Sequence, residues 1–302
     1  MAAALGMAAA RGPQPGGHLM AGWLVVSDID HTLIEHPDQV PAAGAALRRL
    51  QNRGIPVLLA SSKTFAEMVA LQQQAGLAPQ PFLFENGNGV GWPLESWPES
   101  AGRSPDHCLG PYGALVNGPA PKQLAAQLLQ LRQQLSLHFS LLSEWTAEQI
   151  GSQLGLSLEQ VGLALQRLGS LPLFWHDTPE ALAALRRELA AQGLAAVDGG
   201  RLLHIGPPGG KGESLQRLRP WLEDWGLPAG LQLLACGDSE NDRSLLESAA
   251  IALVFHPPQR PPLQLAAANE GGPSLMRGVI AGGPELWHRA VAAALPQSAA
   301  ER

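Results

Sequence analysis

The chain has 302 residues, 45% hydrophobic and 15% charged, enough apolar material for one large or two medium cores. Its formal net charge is −6 with no block of Lys and Arg, which argues against a nucleic-acid partner because an acidic surface repels a phosphate backbone. No apolar run approaches the roughly 20 residues that span a bilayer, so no membrane partner is expected. Cys108 and Cys236 lie far apart and form no Cys-x-x-Cys pair, which points to a reducing cytoplasm. The histidines, His31 and His36 included, show no zinc spacing.

Residues 1–19 are rich in Ala, Gly and Pro and read as a disordered tail, or as an upstream extension with Met20 as the start. The run Trp23–Val26 is a short buried strand. It leads into Ser27-Asp28-Ile29-Asp30-His31-Thr32. Ala42–Arg53 is a helix ended by Gly54, and Pro56–Ala60 a second strand. Ser61-Ser62-Lys63-Thr64 follows, and Thr64 with Glu67 forms a capping box for a helix over Phe65–Ala75. Pro81–Phe84 is a third strand. This βαβαβ alternation predicts a doubly wound parallel sheet, a Rossmann-like α/β core.

The pattern changes from Gly87 to Gly118, which is rich in Gly, Pro and Ser. Helices are predicted over Pro121–Leu135, after the capping boxes Thr146…Gln149 and Ser157…Gln160, and from Thr178-Pro179 to Gly193. Leu171–Trp175 reads as a strand, and Asp198-Gly199-Gly200 as a hairpin turn between Ala195–Val197 and Arg201–Ile205. This mixture predicts an inserted α+β domain. The parallel pattern then returns. Lys211–Trp225 is a helix, Leu231–Cys236 a strand, Gly237-Asp238-Ser239-Glu240-Asn241-Asp242 a loop, Arg243–Ala249 a helix and Ile251–Phe255 a strand. Residues 257–284 read as loop, and Glu285–Leu295 as a last helix.

Four groups therefore fall on strand-to-helix loops of one sheet: Asp28 with Asp30, Ser61, Lys211, and Asp238 with Asp242. Such loops converge on a crevice at the carboxyl ends of the strands. Asp28 and Asp238 supply hard oxygen ligands that suit Mg²⁺. Ser61 offers a hydroxyl and a backbone N–H to a phosphate oxygen. Lys211 at a helix start is unfavourable beside the helix dipole unless an anion binds there. Each member also has a bland reading as a cap or turn residue. Together they suit phosphoryl transfer, which needs positioning and charge neutralisation.

Asp28-x-Asp30-x-Thr32, Ser61, Lys211 and Gly237-Asp238-x-x-Asn241-Asp242 resemble the four motifs of the haloacid dehalogenase superfamily of phosphatases. The likeness is closest to the mannosyl-3-phosphoglycerate phosphatase family, which carries a large α+β cap. It rests on Ala60-Ser61-Ser62-Lys63-Thr64, Phe84-Glu85-Asn86-Gly87-Asn88-Gly89, Glu144-Trp145-Thr146-Ala147-Glu148-Gln149, Gly155-Leu156-Ser157 and Gly209-Gly210-Lys211-Gly212. It implies a core over 20–88 and 206–302 and a cap over 89–205. Asp28 is then the nucleophile and Asp30 the acid and base. Mg²⁺ is held by Asp28, the Asp30 carbonyl and Asp238, while Ser61 and Lys211 hold phosphate and Asn241 and Asp242 orient the site. Ser62, Lys63, Asn86, Gly87, Arg167 and Ser170 are the implied contacts to a small phosphorylated sugar acid. Arg167 is the candidate for its carboxylate, and Trp92 and Trp97 either stack on the sugar or pack. Two departures bear on the substrate. His31 stands where that family has Gly, which is more like sucrose-phosphate phosphatase, and Leu168 and Leu171 replace two cap glutamates. A sugar-phosphate phosphatase of another specificity is therefore one alternative, and a binding module that retains the fold is another.

Overall fold

The computed structural model describes residues 22–267 and 271–296. The tail expected over 1–19 lies outside the described residues. The chain opens with β1 (Trp23–Ser27), α1 (Val40–Gln51), β2 (Val57–Ala60), α2 (Phe65–Gln74) and β3 (Phe82–Phe84). Three more strands follow, β4 (Gly89–Pro93), β5 (His107–Leu109) and β6 (Tyr112–Val116). Next come α3 (Pro121–Gln134), β7 (Phe139–Leu141), α4 (Ala147–Leu154), α5 (Leu158–Ala164), β8 (Leu171–Trp175), α6 (Pro179–Ala191), β9 (Ala195–Asp198) and β10 (Leu203–Gly206). The chain then runs through α7 (Lys211–Asp224), β11 (Gln232–Gly237), α8 (Arg243–Glu247), β12 (Ile251–His256), β13 (Leu275–Ile280) and α9 (Pro284–Ala294).

Local sequence explains most of these boundaries. Thr64, Thr146 and Ser157 each accept a hydrogen bond from the backbone N–H three residues on, and the side chains of Glu67, Gln149 and Gln160 accept one from the cap residue's own N–H. Those pairs satisfy amide groups that a helix start leaves open. Arg48 in the last turn of α1 donates to the carbonyls of Ala75 and Gly76 at 2.7 and 2.9 Å, which ties α1 to the end of α2.

The large sheet has the order β13-β12-β11-β1-β2-β3-β4-β6-β5. The six strands from β13 to β3 are parallel, and β4, β6 and β5 are added antiparallel. Along β1 the side chains alternate. Val25 enters the core under α1, α2 and α9, whereas Leu24 and Val26 enter the core under α7 and α8. The strand order reverses beside β1, with β2 on one side and β11 on the other. That reversal opens the crevice in which α/β proteins place their sites.

A second sheet, β7-β8-β10-β9, is antiparallel. Leu173, Leu203 and Ile205 face α3 and α6 on one side, and Phe174 packs with α4 and α5 on the other. This is the inserted α+β unit of the expected fold class. Its extent differs from the expectation in one respect. Residues 89–116, expected in the cap, are hydrogen-bonded into the large sheet. The reason is steric: Gly89 and Gly91 pair with Phe84 and Phe82, and a Cβ at either glycine would collide with the ring opposite. A Gly-rich segment that reads as loop is thus an extension of the sheet, its glycines covered by aromatic rings. Trp92 is fully buried there, edge-on to Trp221 and Trp225, so it packs and does not stack on a ligand. Likewise β13 runs parallel to β12 inside the segment 257–284 that reads as loop.

Gly91→Val should overpack this seam and lower stability by about 1–3 kcal/mol, read as a shift in the urea unfolding midpoint.

Candidate active site

Asp28 follows β1 directly, and its backbone N–H donates to the Cys236 carbonyl at 2.9 Å. The strand end is held from behind by Trp287 of α9, whose indole N–H donates to Ser27 Oγ at 3.0 Å. Ser27 Oγ in turn donates to the Asp28 carbonyl at 2.7 Å. Asp238 follows β11, the neighbouring parallel strand. Lys211 is the first residue of α7, and its Nζ sits 2.6 Å from Asp28 Oδ1 and 2.6 Å from Asp242 Oδ1. Lys211 and Asp242 are fully buried, and Asp28 is nearly so. The expected phosphate-binding lysine is therefore held between two carboxylates. They also answer the electrostatic oddity of a cation at a helix start.

Asp242 closes its own loop. Its Oδ2 accepts from the backbone N–H groups of Asp238 and Ser239 at 3.0 and 3.2 Å. Both Asp242 oxygens are thus engaged, whereas among the described residues no donor reaches Asp28 Oδ2. Ligand atoms of Asp28, Asp238 and Asp242 lie within 4.8 Å of one another. Burial, with Asp242 next, raises Asp28 to about 7, and burial, with Asp28 next, raises Asp238 to about 8. Burial works to lower Lys211, but Asp242 and Asp28 outweigh it and raise its pKa. Three carboxylates against one ammonium leave uncompensated negative charge. This donor set fits a hard divalent cation, with Asp28 and Asp238 free to hold it.

The other expected residues divide by what they touch. Asp30 is partly exposed and pairs with Lys63 at 2.7 Å. Ser61 is buried. Its backbone N–H donates to the Leu83 carbonyl at 3.1 Å, which corrects the expectation that this N–H serves a phosphate. Ser61 Oγ accepts from the Lys63 N–H at 3.2 Å, leaving its hydroxyl proton to donate. Asn241 donates to Asn86 Oδ1 at 3.1 Å, joining the loops after β3 and β11. The Gly87 carbonyl accepts from Ser214 Oγ at 2.6 Å, and a Cβ on Gly87 would stand 2.7 Å from the Gly210 carbonyl oxygen, so α7 packs against this turn. The Ser62 carbonyl accepts from Arg167 Nη1 at 2.8 Å. Ser170 Oγ donates to Glu85 Oε2 at 2.6 Å.

Glu85 is the residue that the motif reading passed over. It is fully buried, and its carboxylate also accepts the N–H groups of Leu168 and Gly169 at 2.8 and 3.0 Å. Its own N–H donates to the Lys63 carbonyl, and the Asn86 N–H to the Ser61 carbonyl. One side chain thus clamps the cap strand leader to the core, while its backbone fixes the Ser61–Lys63 loop. Glu85 and Asn86 both take left-handed backbone, φ 50° and 58°. That is easy for Asn but costs a glutamate on the order of 1 kcal/mol, which the three accepted hydrogen bonds offset. An acidic residue directly between a buried strand and Asn-Gly was the available signal. Thr64 Oγ1 adds a further core-to-cap bond, donating to the Leu163 carbonyl at 2.9 Å.

Residues 25–97 match the family model of haloacid dehalogenase-like hydrolases. The fold is shared with solved structures. A Thermoplasma acidophilum protein is 15% identical with a TM-score of 0.58, over 90% of this chain and 97% of that one. A phosphatase of the haloalkanoate enzyme superfamily from Bacteroides thetaiotaomicron is 16% identical with a TM-score of 0.57, over 92% and 97%. A haloacid dehalogenase-like hydrolase from B. subtilis is 16% identical with a TM-score of 0.57, over 84% and 94%. The segment 25–97 is thus similar to haloacid dehalogenase-like hydrolases, and the chain shares its fold with these solved structures. Among the described residues no helix is long and apolar enough to cross a membrane.

Two measurements test this geometry. The folded-state pKa values of Asp28 and Asp238 lie above the ordinary carboxylate value, so the folded chain binds more protons than the unfolded chain up to about pH 8. Stability without divalent cation should therefore fall as pH rises. His204, pushed down to about 3 mainly by burial, has the opposite effect, but only below the unfolded histidine value near 6.5. Between pH 6.5 and 8 the metal-free protein should lose roughly 1–2 kcal/mol, and the rise in Tm on adding Mg²⁺ should be larger at pH 8 than at pH 6.5. For Glu85→Leu, which strands three donors, stability should drop by about 3 kcal/mol and amide exchange should quicken at Leu168 and Gly169.

Proposed function

We propose that this chain is a Mg²⁺-dependent phosphatase that hydrolyses mannosyl- or glucosyl-3-phosphoglycerate to the glycosylglycerate and phosphate. The observation that carries the reading is the buried Asp28 carboxylate, fixed by Lys211 at one oxygen and within 4.8 Å of a ligand atom of Asp238. A carboxylate held this way has its attack geometry set in advance.

In the proposed reaction Asp28 attacks phosphorus, the bond to the leaving oxygen breaks, and Asp30 gives that oxygen a proton. Water then attacks the aspartyl-phosphate and gives a proton to Asp30, and the phosphorus–Asp28 bond breaks to release phosphate. The difference in surroundings suits this division. Asp28 is buried and pinned, whereas Asp30 is open to solvent and to a leaving group. Lys63 has to release Asp30 when the substrate binds, which makes it available for a substrate oxygen. As Asp28 becomes an acyl phosphate its negative charge leaves with the alkoxide, which Asp30 protonates, and the transferred phosphoryl group keeps its own charge, for which the Lys211 ammonium beside Asp28 is a counter-ion. The Ser61 hydroxyl donates to the same group. A divalent cation held by Asp28, the Asp30 carbonyl and Asp238 would neutralise the phosphate charge.

The sugar-acid specificity rests on the motif resemblance and on Arg167, which lies at the seam of cap and core with its Nε buried and unpartnered. His31, the residue that suggested sucrose 6-phosphate, is largely exposed and lies 3.9 Å from Glu35.

With Asp28→Asn, phosphate release should fall at least ~10³-fold while the fold is retained. A phosphate-release panel of mannosyl-3-phosphoglycerate, glucosyl-3-phosphoglycerate and sucrose 6-phosphate should give the highest kcat/KM for one of the first two. Preference for sucrose 6-phosphate would overturn the substrate, and wild-type turnover by Asp28→Asn would overturn the mechanism.

A further inference from the structure

Two polar atoms on the inner side of the cap are buried without partners, His204 Nδ1 and Arg167 Nε. The His204 ring lies over Gly199, where a Cβ would stand 2.6 Å from its Nε2, and this contact leaves Nδ1 without a partner. Leu203 and Ile205 of β10 enter the cap core beneath α3 and α6, so the residue between them points the other way. Gly206, on the same face as His204, lies against Asn88 of the core, where a Cβ would stand 2.6 Å from Asn88 Nδ2. The adjoining strand β9 packs on the 240–242 turn that carries Asn241 and Asp242. That face also carries Phe174 and Leu202 under α4 and α5, and its Gly206 end meets the core beside the candidate active site. The charges that act on its ring are those of Arg167 and Lys211. Glu85, which bonds the residues after Arg167, is fully engaged by Leu168, Gly169 and Ser170 and serves neither atom.

We propose that His204 completes, beside the Arg167 already read as the contact for an acidic oxygen, a receptor for the part of the substrate beyond the phosphate. His204 Nδ1 takes a hydroxyl of a polyhydroxylated group and Arg167 Nε takes an acidic oxygen. The assignment deepens, and rests on, the sugar-phosphate reading above. The chemistry of the two side chains separates their tasks. Burial, with the two cations next, pushes His204 down to about 3, so at working pH the ring is neutral, with one nitrogen that donates and one that accepts. Such a ring suits a hydroxyl and gains nothing from a second charge. Arg167 reaches the Ser62 carbonyl with Nη1, which fixes the guanidinium while leaving Nε for the ligand. A buried polar atom without a partner destabilises the form that contains it. A ligand that supplies both partners therefore favours cap closure, and a small aryl phosphate does not.

The test uses the full chain and the variants His204→Leu and His204→Asn. Substrates are the two glycosyl-3-phosphoglycerates, sucrose 6-phosphate, and p-nitrophenyl phosphate, which has no hydroxyls to read. In His204→Leu the kcat/KM ratio of the best sugar phosphate to p-nitrophenyl phosphate should fall at least about tenfold, mainly through KM. Its Tm should equal or exceed that of the wild type, because an orphaned polar atom has been removed. His204→Asn, which keeps a hydrogen-bonding group, should retain most of the ratio. An unchanged ratio in His204→Leu, an equal loss on both substrate types, or a His204→Asn as impaired as His204→Leu overturns the receptor. Wild-type preference for sucrose 6-phosphate, with the ratio still lost in His204→Leu, overturns the sugar-acid reading and leaves the hydroxyl contact standing. A wild type that turns over no sugar phosphate better than p-nitrophenyl phosphate overturns both.

Discussion

The Lys211 ammonium, fully buried between Asp28 and Asp242, is the contact on which the arrangement of the centre depends. A charge in that position is expensive to desolvate and is tolerated only with short, well-aligned partners. Here each partner comes from a different loop: the one after β1 supplies Asp28, and the one after β11 supplies Asp242. The same contact therefore joins the three segments at the carboxyl ends of the sheet. Removing the lysine would leave two buried carboxylates facing a third, an arrangement that costs ~3–5 kcal/mol for the broken pair alone. Lys211 offsets part of the charge of this cluster. The cluster still holds more negative charge than Lys211 neutralises, which is the physical reason for reading it as a place where a second cation and a phosphate meet.

Around this centre the fold works as a set of braces. Trp287 from the last helix reaches back to Ser27, so the far end of the chain fixes the strand end that carries Asp28. Asn241 and Asn86 join two loops that are 155 residues apart in sequence. Glu85 joins the core to the cap through three accepted hydrogen bonds and fixes the Ser61–Lys63 loop through its backbone. The cap meets the core through these polar contacts and through Leu168, which packs against the core cluster, while the central apolar clusters of the two sheets are separate. A seam of this kind can open and close without exposing a hydrophobic core.

The amino-acid sequence by itself determined the alternation of strands and helices from β1 to β3 and from α7 to β12, because periodicity, capping boxes and glycine stops are local effects of side-chain pattern and backbone freedom. It also determined which carboxylates and which lysine share the crevice, since residues after parallel strands have only one end of the sheet to go to. Tertiary structure alone decided the rest. The strands β4–β6 exist because Phe82 and Phe84 lie over Gly89 and Gly91, and a glycine-rich string carries no sign of the ring that will cover it. The partners of Lys211, the clamp at Glu85, the loss of the Ser61 N–H to Leu83 and the unpartnered His204 all arise between residues distant in the chain. Charge compensation and hydrogen-bond satisfaction depend on distance in space, and spacing along the chain does not encode it.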